Sequence, residues 1–291
     1  MKYEFISQHK QKWPVDLMCK IMGVHRNGYY QYARKQQQID SRCHSELLDT
    51  IREIAKNSRY CYGSRRVKKT LNLKGYVISR KRTVKLMKEA GVQVRYRKKY
   101  KTTTNSNHDR AVFENVLDRQ FSISASDQAY VSDITYIPTQ EGWLYLAVMI
   151  DLFSRKVVGW SMSSRMKAAL VCDALKMALW QRKPKAGLIV HSDRGSQYAS
   201  DAYNYLLKAW KCTGSMSRKG NCWDNAVAES FFGRLKQEQV QWCHYQTRYE
   251  AQQDILNYIT MFYNSQRLYS TLDYMSPNEY EEVMAKLENV S

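Results

Sequence analysis

The sequence has no hydrophobic run long enough to cross a membrane. Its longest uninterrupted apolar stretch is eight residues, 143–150, whereas a membrane-spanning helix needs about 20. The first five residues lack the apolar core of a secretory signal peptide. We therefore expect no membrane partner and a soluble, intracellular protein.

The sequence also lacks paired cysteines. Its seven cysteines are an odd number, widely spread, and no two form a C-x-x-C pair. This usage argues against a disulfide framework and fits a reducing compartment. Cys43-His44 and Cys243-His244 could each supply metal ligands, but neither has a second pair at ligand spacing, which disfavours structural zinc.

Acidic residues are scarce in the first third of the chain. Residues 1–110 hold 27 Lys and Arg against 8 Asp and Glu, whereas residues 111–291 hold 19 of each, so the first third carries the whole net charge of +19. A basic region joined to a neutral one is typical of a polyanion-binding arm attached to a second function. A merely solvated basic surface is the alternative, and the lopsided distribution favours nucleic acid.

The basic third is predicted to be helical. Apolar residues at helical spacing over 15–22, then Gly23 and a short helix over 27–32, match a helix-turn-helix pattern. We therefore assign residues 1–40 to an N-terminal helix-turn-helix-like segment.

Residues 41–100 are predicted to form a second, basic all-α DNA-binding domain. A helix is expected over 41–57, followed by two helices capped by Ser64 and Ser79, and then a strand over 92–97. The two capped helices expose cations that we expect to contact DNA: Arg65, Arg66, Lys68, Lys69, Arg80, Lys81, Arg82 and Lys85.

The polar stretch 101–108 separates the basic third from a region with a different residue pattern. We assign 101–126 to a linker. Over 127–240 the patterns follow the order βββαβαβα, which is that of the α/β ribonuclease-H-like fold, a mixed sheet with helices on its faces. Residues 241–291 are predicted to form a helical C-terminal segment, with capping boxes at Thr247 and Ser276.

Three acids in the predicted core could form a metal site. Asp133 lies in mid-strand, Asp193 directly follows a buried strand, and Glu229 follows after thirty-five further residues, among apolar neighbours on a helix. Each acid alone has an ordinary structural explanation. Together, three carboxylates on separate elements are what a protein needs to hold two Mg²⁺ ions, about 3.5–4 Å apart, against a phosphodiester.

Two further residues accompany these acids. Lys236 lies seven residues after Glu229 on the same predicted helix face, where it could contact a DNA phosphate. Asp151 is a fourth candidate ligand, but its position at a strand end favours a role in a turn.

These motifs resemble the integrase-like DDE transposases, and most closely those of bacterial insertion sequences encoded in two overlapping reading frames. The resemblance runs over nearly the whole chain. The segments that carry it are Ser132–Tyr136, Ile150–Trp160, His191–Tyr198, Asn221–Ala226, Glu229 with Lys236, and, in the basic region, Cys61–Arg66 and Leu86–Gly91.

The resemblance implies a ribonuclease-H-like integrase core in which Asp133, Asp193 and Glu229 ligate two Mg²⁺ or Mn²⁺ ions. The implied reaction is cleavage of DNA at the ends of the element and transfer of the 3′-hydroxyl to target DNA, without a covalent enzyme–DNA bond. It also implies a homo-oligomer that synapses two ends. This chain would be the second-frame product, active as a fusion with the upstream-frame product or bound to it.

The chain departs from the family in its C-terminal segment, where Leu268 and Tyr269 replace the usual Pro-His. Two other functions remain open at this point. One is a DNA-binding regulatory half-product without activity of its own, and the other is a nuclease of the same fold that only hydrolyses DNA.

Overall fold

A computed structural model describes residues 1–95, 112–218 and 222–288. These residues fall into two compact units, Met1–Val94 and Arg95–Ser291. The predicted linker stretch 101–108 lies outside the described residues. No helix in the described ranges is long and apolar enough to cross a membrane.

The first unit is helical over its described residues. Its helices are α1 (Lys2–His9), α2 (Val15–Ile21), α3 (Arg26–Asn57), α4 (Ser64–Leu73) and α5 (Arg80–Glu89).

The helix-turn-helix predicted over 15–32 is confirmed. Gly23 (φ +61°) follows α2, and His25 caps α3 by accepting a hydrogen bond from the Asn27 N–H at 3.4 Å. The helices predicted over 27–32 and 41–57 are, however, one helix, α3. The residues between them include Lys and Gln, which are good helix formers, so the helix continues through this stretch.

The second pair of helices differs from its prediction in one cap. Ser79 caps α5 as predicted, since its Oγ accepts the Arg82 N–H at 3.2 Å. Ser64 does not cap α4: Gly63 occupies the N-cap position. The Ser64 Oγ instead accepts a hydrogen bond from Nε of Arg80 at 3.3 Å. The strand predicted over 92–97 is not formed by residues 92–95, and its last two residues lie outside the described ranges.

The second unit is built on a five-stranded mixed sheet. Its strands lie in the order β3-β2-β1-β4-β5. Antiparallel pairing joins β1 to β2 and β2 to β3, and parallel pairing joins β1 to β4 and β4 to β5. The strands are β1 (Ala129–Thr139), β2 (Gly142–Asp151), β3 (Val157–Ser163), β4 (Ile189–Ser192) and β5 (Thr213–Met216).

Helices cover both faces of this sheet, and they follow the strands in the predicted order βββαβαβα. They are α6 (Ala168–Arg182), α7 (Asp201–Ala209) and α8 (Ala226–Glu238). One face packs against α8 and the C-terminal segment, and the other packs against α6 and α7. The ribonuclease-H-like fold predicted for the core is therefore confirmed, and burial of both faces explains the apolar run in β2.

The C-terminal segment is helical as predicted. It contains α9 (Arg248–Asn257), a π-helical turn (Tyr258–Tyr263) and α10 (Pro277–Glu288). The capping interactions form: the Thr247 Oγ1 accepts the Glu250 N–H at 3.1 Å, and the Ser276 Oγ accepts the Glu279 N–H at 3.3 Å.

Residues 112–126, assigned to the linker, contain no helix or strand, but they contact the core. Leu117 is buried, and the Ser215 Oγ accepts the N–H groups of Val116 and Leu117 at 3.0 and 3.2 Å.

Candidate active site

Asp133 lies in β1, near the point where β1 leaves its parallel pairing with β4. Alternation along the strand places it in phase with Val131, on the face covered by α8. Its Oδ1 accepts the N–H of Ile134 at 2.7 Å. Burial, the charge of Asp193 and then that of Glu229 raise the pKa of Asp133 well above its usual range, while the Ile134 hydrogen bond and Lys236 act in the opposite direction.

Asp193 directly follows β4, as predicted from the sequence. Its Oδ1 accepts the N–H of Gly195 at 2.9 Å, which fixes the orientation of the carboxylate. A Cβ at Gly195 would lie 3.0 Å from the same oxygen, so glycine permits the tight approach of backbone to carboxylate.

Glu229 and Lys236 both lie on α8. The helix is packed through Ala228, Phe231 and Leu235, as expected, but Glu229 itself is exposed. The packing of α8 expected from the apolar neighbours of Glu229 is therefore present, while the side chain of Glu229 remains accessible to solvent.

Lys236 is partly buried beside β1. Its Nζ lies 4.7 Å from the centroid of the Tyr136 ring. Burial lowers the pKa of Lys236, and the charge of Asp133 opposes that shift.

The structure thus brings the three predicted acids and Lys236 into one electrostatic neighbourhood. Among the described residues, no group of three His, Cys, Asp or Glu side chains forms a cluster that could hold a metal ion. The three acids therefore influence one another electrostatically, but they do not form a complete set of metal ligands by themselves.

Asp151 has the turn role favoured by its sequence position. It is fully buried at the end of β2, where its Oδ1 accepts the Phe153 N–H at 3.2 Å and its Oδ2 accepts the Ser154 hydroxyl at 3.2 Å. Burial raises its pKa to about 7.

The sequence did not single out Asp224, which is fully buried just before α8. It accepts hydrogen bonds from Arg119 Nε (2.8 Å), Asn115 Nδ2 (3.0 Å) and the Arg218 backbone N–H (2.9 Å). The Arg218 side chain binds it as well, and this bonding holds the pKa of Asp224 far below its usual range. Its membership of the motif Asn221–Ala226 was the only signal for it in the sequence.

His191, in β4, is a second residue that was missed. It is fully buried, and its ring nitrogens lie 2.9 and 3.2 Å from the hydroxyls of Ser215 and Ser217. Burial lowers its pKa to about 4, so the ring is neutral near pH 7.

The predicted DNA-contacting cations lie on α4 and α5 of the first unit. Six are exposed, and Arg66 and Lys68 are partly buried. The exposed ones are Arg65, Lys69, Arg80, Lys81, Arg82 and Lys85.

Models of known families match three segments of the chain. Residues 44–100 match an HTH-like domain, and residues 124–222 and 229–284 match integrase core domains. Over 287 residues the chain is 40% identical to Transposase InsF for insertion sequence IS3A from Escherichia coli strain K12, covering 97% of this chain and 98% of that protein. The chain belongs to the IS3 transposase family.

A second relative of this transposase is the insertion element IS600 31 kDa protein of Shigella sonnei. It is 40% identical over 265 residues, covering 91% of this chain and 97% of that protein.

Solved structures of viral integrases are more distant. A simian T-cell lymphotropic virus intasome, in complex with the PP2A regulatory subunit B56 gamma, matches with 13% identity and a TM-score of 0.45, over 74% of this chain and 70% of that chain. The HTLV-2 integrase catalytic core domain in complex with magnesium matches with 13% identity and a TM-score of 0.42, over 53% and 96%.

The C-terminal positions at which this transposase departs from the family motif are buried: Leu268 is 8% exposed and Tyr269 is 6% exposed. Asn264, within the same motif, accepts the Val157 N–H and donates to the Val157 carbonyl, both at 3.0 Å. The segment therefore pairs with the edge strand β3 and has a structural role.

Proposed function

We propose that this transposase cleaves DNA at the ends of its insertion sequence and joins them to target DNA, in a reaction that depends on two Mg²⁺ or Mn²⁺ ions. Asp133, Asp193 and Glu229 would be the metal ligands. The observation that carries the proposal is the placement of the three acids: Asp133 lies in β1, Asp193 directly follows the neighbouring strand β4, and Glu229 lies on α8, which packs on the sheet face of Asp133. In agreement with this placement, burial and the like charges of Asp193 and Glu229 raise the pKa of Asp133. Acids placed together in this way are costly unless a cation offsets their charge.

The donor set fits the ions. Carboxylate oxygens are the ligands that Mg²⁺ prefers, and Mg²⁺ commonly binds one or two carboxylates together with waters and substrate phosphates. A site of that kind needs no closed cluster of three side chains, which agrees with the arrangement of the described acids.

When bound, a metal pair polarises the scissile phosphodiester and activates the attacking oxygen. The protein's own residues supply orientation. Backbone N–H groups of Ile134 and Gly195 fix one oxygen each of Asp133 and Asp193, which reduces the rearrangement needed on the way to the transition state. Lys236, beside Asp133, would contact a phosphate next to the acids.

DNA is the proposed partner of the whole chain. The basic α4 and α5 would contact DNA phosphates at the ends of the element, and the protein would act at the nucleoid as a homo-oligomer that holds two ends. We further propose that the chain is a second-frame product that works when fused or bound to the upstream-frame product.

The direct test is the Asp193→Asn variant, assayed on DNA carrying the ends of the element. We expect cleavage and strand joining to disappear while DNA binding stays unchanged. The matched control is Asp201→Asn, which makes the same change at an exposed acid at the start of α7 and should retain activity. Full activity of Asp193→Asn would disprove the assignment.

The same assay separates the two alternative functions. Nicked but unjoined products from the wild-type chain would indicate a nuclease that only hydrolyses. No reaction by either this chain or its upstream fusion would indicate a DNA-binding regulator.

A further inference from the structure

A buried hydrogen-bonded junction lies at the residue before Asp133. We define the Ser132 junction as Ser132, Tyr198 and Asn225, which are 0%, 1% and 4% exposed. The hydroxyls of Ser132 and Tyr198 lie 2.9 Å apart and share a hydrogen bond. The Asn225 Nδ2 donates to the Ser132 carbonyl at 3.0 Å.

Each of the three junction residues is connected to one of the three acids, and each to a different one. Ser132 directly precedes Asp133 in β1. Asn225 is the N-cap of α8, so Glu229 lies about one turn into the same helix.

Tyr198 connects the third acid through the backbone. The Tyr198 N–H donates to the Gly195 carbonyl at 3.0 Å, and the Gly195 N–H donates to the Asp193 carboxylate at 2.9 Å. The backbone of Tyr198 is therefore hydrogen-bonded to the turn that orients Asp193, while its hydroxyl is bonded to Ser132.

We propose that Ser132, Tyr198 and Asn225 are positioning residues that set the relative placement of the three catalytic acids. This inference rests on the proposed function of Asp133, Asp193 and Glu229. None of the three residues needs to contact DNA. Tyr198 and Asn225 act through the elements that they join to β1, because Ser132 shares a hydrogen bond with the Tyr198 hydroxyl and accepts another from Asn225 on its backbone carbonyl.

The burial of the junction supports this role. A buried hydroxyl or amide that loses its partner keeps the cost of its desolvation without the compensating hydrogen bond, so these bonds favour one arrangement over alternatives. Burial raises the pKa of Tyr198 well above its usual range, and the charges of Asp133 and Asp193 act in the same direction, so the hydroxyl stays protonated.

The chain offers a matched control. Tyr203 is also buried, its ring centroid lies 5.4 Å from that of Tyr198, and its hydroxyl has no hydrogen-bond partner in the described part of the chain. Tyr198→Phe and Tyr203→Phe each remove one buried hydroxyl, but only the first removes a bond to Ser132.

The experiment uses the full-length protein and DNA carrying the ends of the element. It measures the rate of strand transfer at saturating DNA and, separately, the affinity for DNA. For Tyr198→Phe we expect the rate to fall on the order of 10-fold, because small misplacements of reacting groups cost rates of this size or more. DNA affinity should stay unchanged, and Tyr203→Phe should match the wild type in both quantities.

A readout independent of activity is hydrogen exchange of the metal-free protein. Tyr198→Phe should speed exchange in residues 193–200 and at the start of α8, and Tyr203→Phe should not. Ser132→Ala breaks the same bond from the other side. It should therefore reproduce both effects and replace Tyr198→Phe if that variant does not fold.

A wild-type rate in Tyr198→Phe, or equal rate losses in Tyr198→Phe and Tyr203→Phe, would overturn the positioning role. These results differ from those expected if the proposed function itself is wrong. In that case the wild-type chain would show no strand transfer either alone or fused to the upstream-frame product, or Asp193→Asn would be as active as the wild type.

Discussion

Arg267, in the C-terminal segment, forms a buried, bidentate ion pair with Glu238, the last residue of α8. Arg267 Nη2 lies 2.6 Å from Glu238 Oε1, Arg267 Nε lies 2.8 Å from Oε2, and the two side chains are 2% and 4% exposed. The Tyr258 hydroxyl donates to the same carboxylate at 2.8 Å. Because α8 also carries Glu229 and Lys236, this pair fixes the far end of the helix that supplies one of the three proposed metal ligands.

Glu238→Gln should destabilise the protein strongly. Removing one partner of a buried ion pair leaves an uncompensated charge and costs about 3–5 kcal/mol. Urea unfolding followed by circular dichroism measures the change in the free energy of unfolding. The control is Asp173→Asn, which removes an exposed pair with Lys176 and should cost no more than about 1 kcal/mol. Similar small effects of both changes would contradict a structural role for the Glu238 pair.

Gly159→Ala should destabilise the packing of β3 against α6. A Cβ at this position would lie 2.3 Å from the Ala174 carbonyl oxygen and 2.8 Å from the Ala178 nitrogen. Both are backbone atoms that cannot turn aside, so we expect a loss of at least about 1–3 kcal/mol, the usual cost of overpacking. Thermal and urea unfolding measure this loss, and an unchanged free energy of unfolding would show that β3 and α6 are less closely packed.

The free energy of unfolding of Asp151→Asn, relative to that of the wild type, should be higher at high pH than at low pH. Burial raises the folded-state pKa of Asp151 to about 7, whereas an unfolded Asp titrates near 3.9. The stabilising contribution of the protonated side chain is therefore complete below about pH 4 and is lost as the pH rises through about 7, with a slope of at most about 1.4 kcal/mol per pH unit. Asn removes this dependence while it can still hydrogen-bond to the Phe153 N–H and the Ser154 hydroxyl.

The Asp151 prediction is tested by urea unfolding at pH 5.5 and pH 8.5. The stability of Asp151→Asn relative to the wild type should increase between these two pH values. Asp201→Asn, a change at an exposed acid, should show the same small effect at both. A pH-independent difference for Asp151→Asn would indicate that Asp151 does not bind a proton on folding.

The cations of α5 should dominate the salt dependence of DNA binding. Each phosphate contact that is lost should reduce the slope of log K against log salt by about 0.9. We expect the full-length variant with Gln at Arg80, Lys81, Arg82 and Lys85 to lose several such contacts. The matched control places Gln at four exposed lysines of the second unit, Lys183, Lys185, Lys208 and Lys211. Equal losses of slope in both variants would show that the basic helices are not the principal DNA contact.

Much of the fold could be predicted from local sequence signals. Ser79, Thr247 and Ser276 cap helices where the sequence placed them, because a cap depends on residues three positions apart. The order of the strands along the chain was predictable from apolar runs and the turn residues between them. Asp193 lies at a strand end as predicted. One prediction failed because local signals do not show whether two helical segments are continuous. Separate helices were predicted over 27–32 and 41–57, but the single helix α3 covers both.

The candidate site was predictable only as a set of acids. Their residue types and positions indicated metal chemistry, but the sequence could not show that Glu229 is exposed while its neighbours are buried. Which side of α8 faces the sheet depends on contacts with residues far away in the chain. Asp224 and His191 were missed for the same reason, since their partners lie on other elements.

By itself, the sequence determined the order of helices and strands in the core and the division of charge between residues 1–110 and 111–291, and it indicated the three candidate acids. These features depend on residues that are close together in the chain. Only the tertiary structure decided which groups meet. Asn225 reaches Ser132 across 93 positions, and Arg267 reaches Glu238 across 29. Such bonds form because folding buries polar groups that must then find partners, and the choice of partner is fixed by the packing of whole elements.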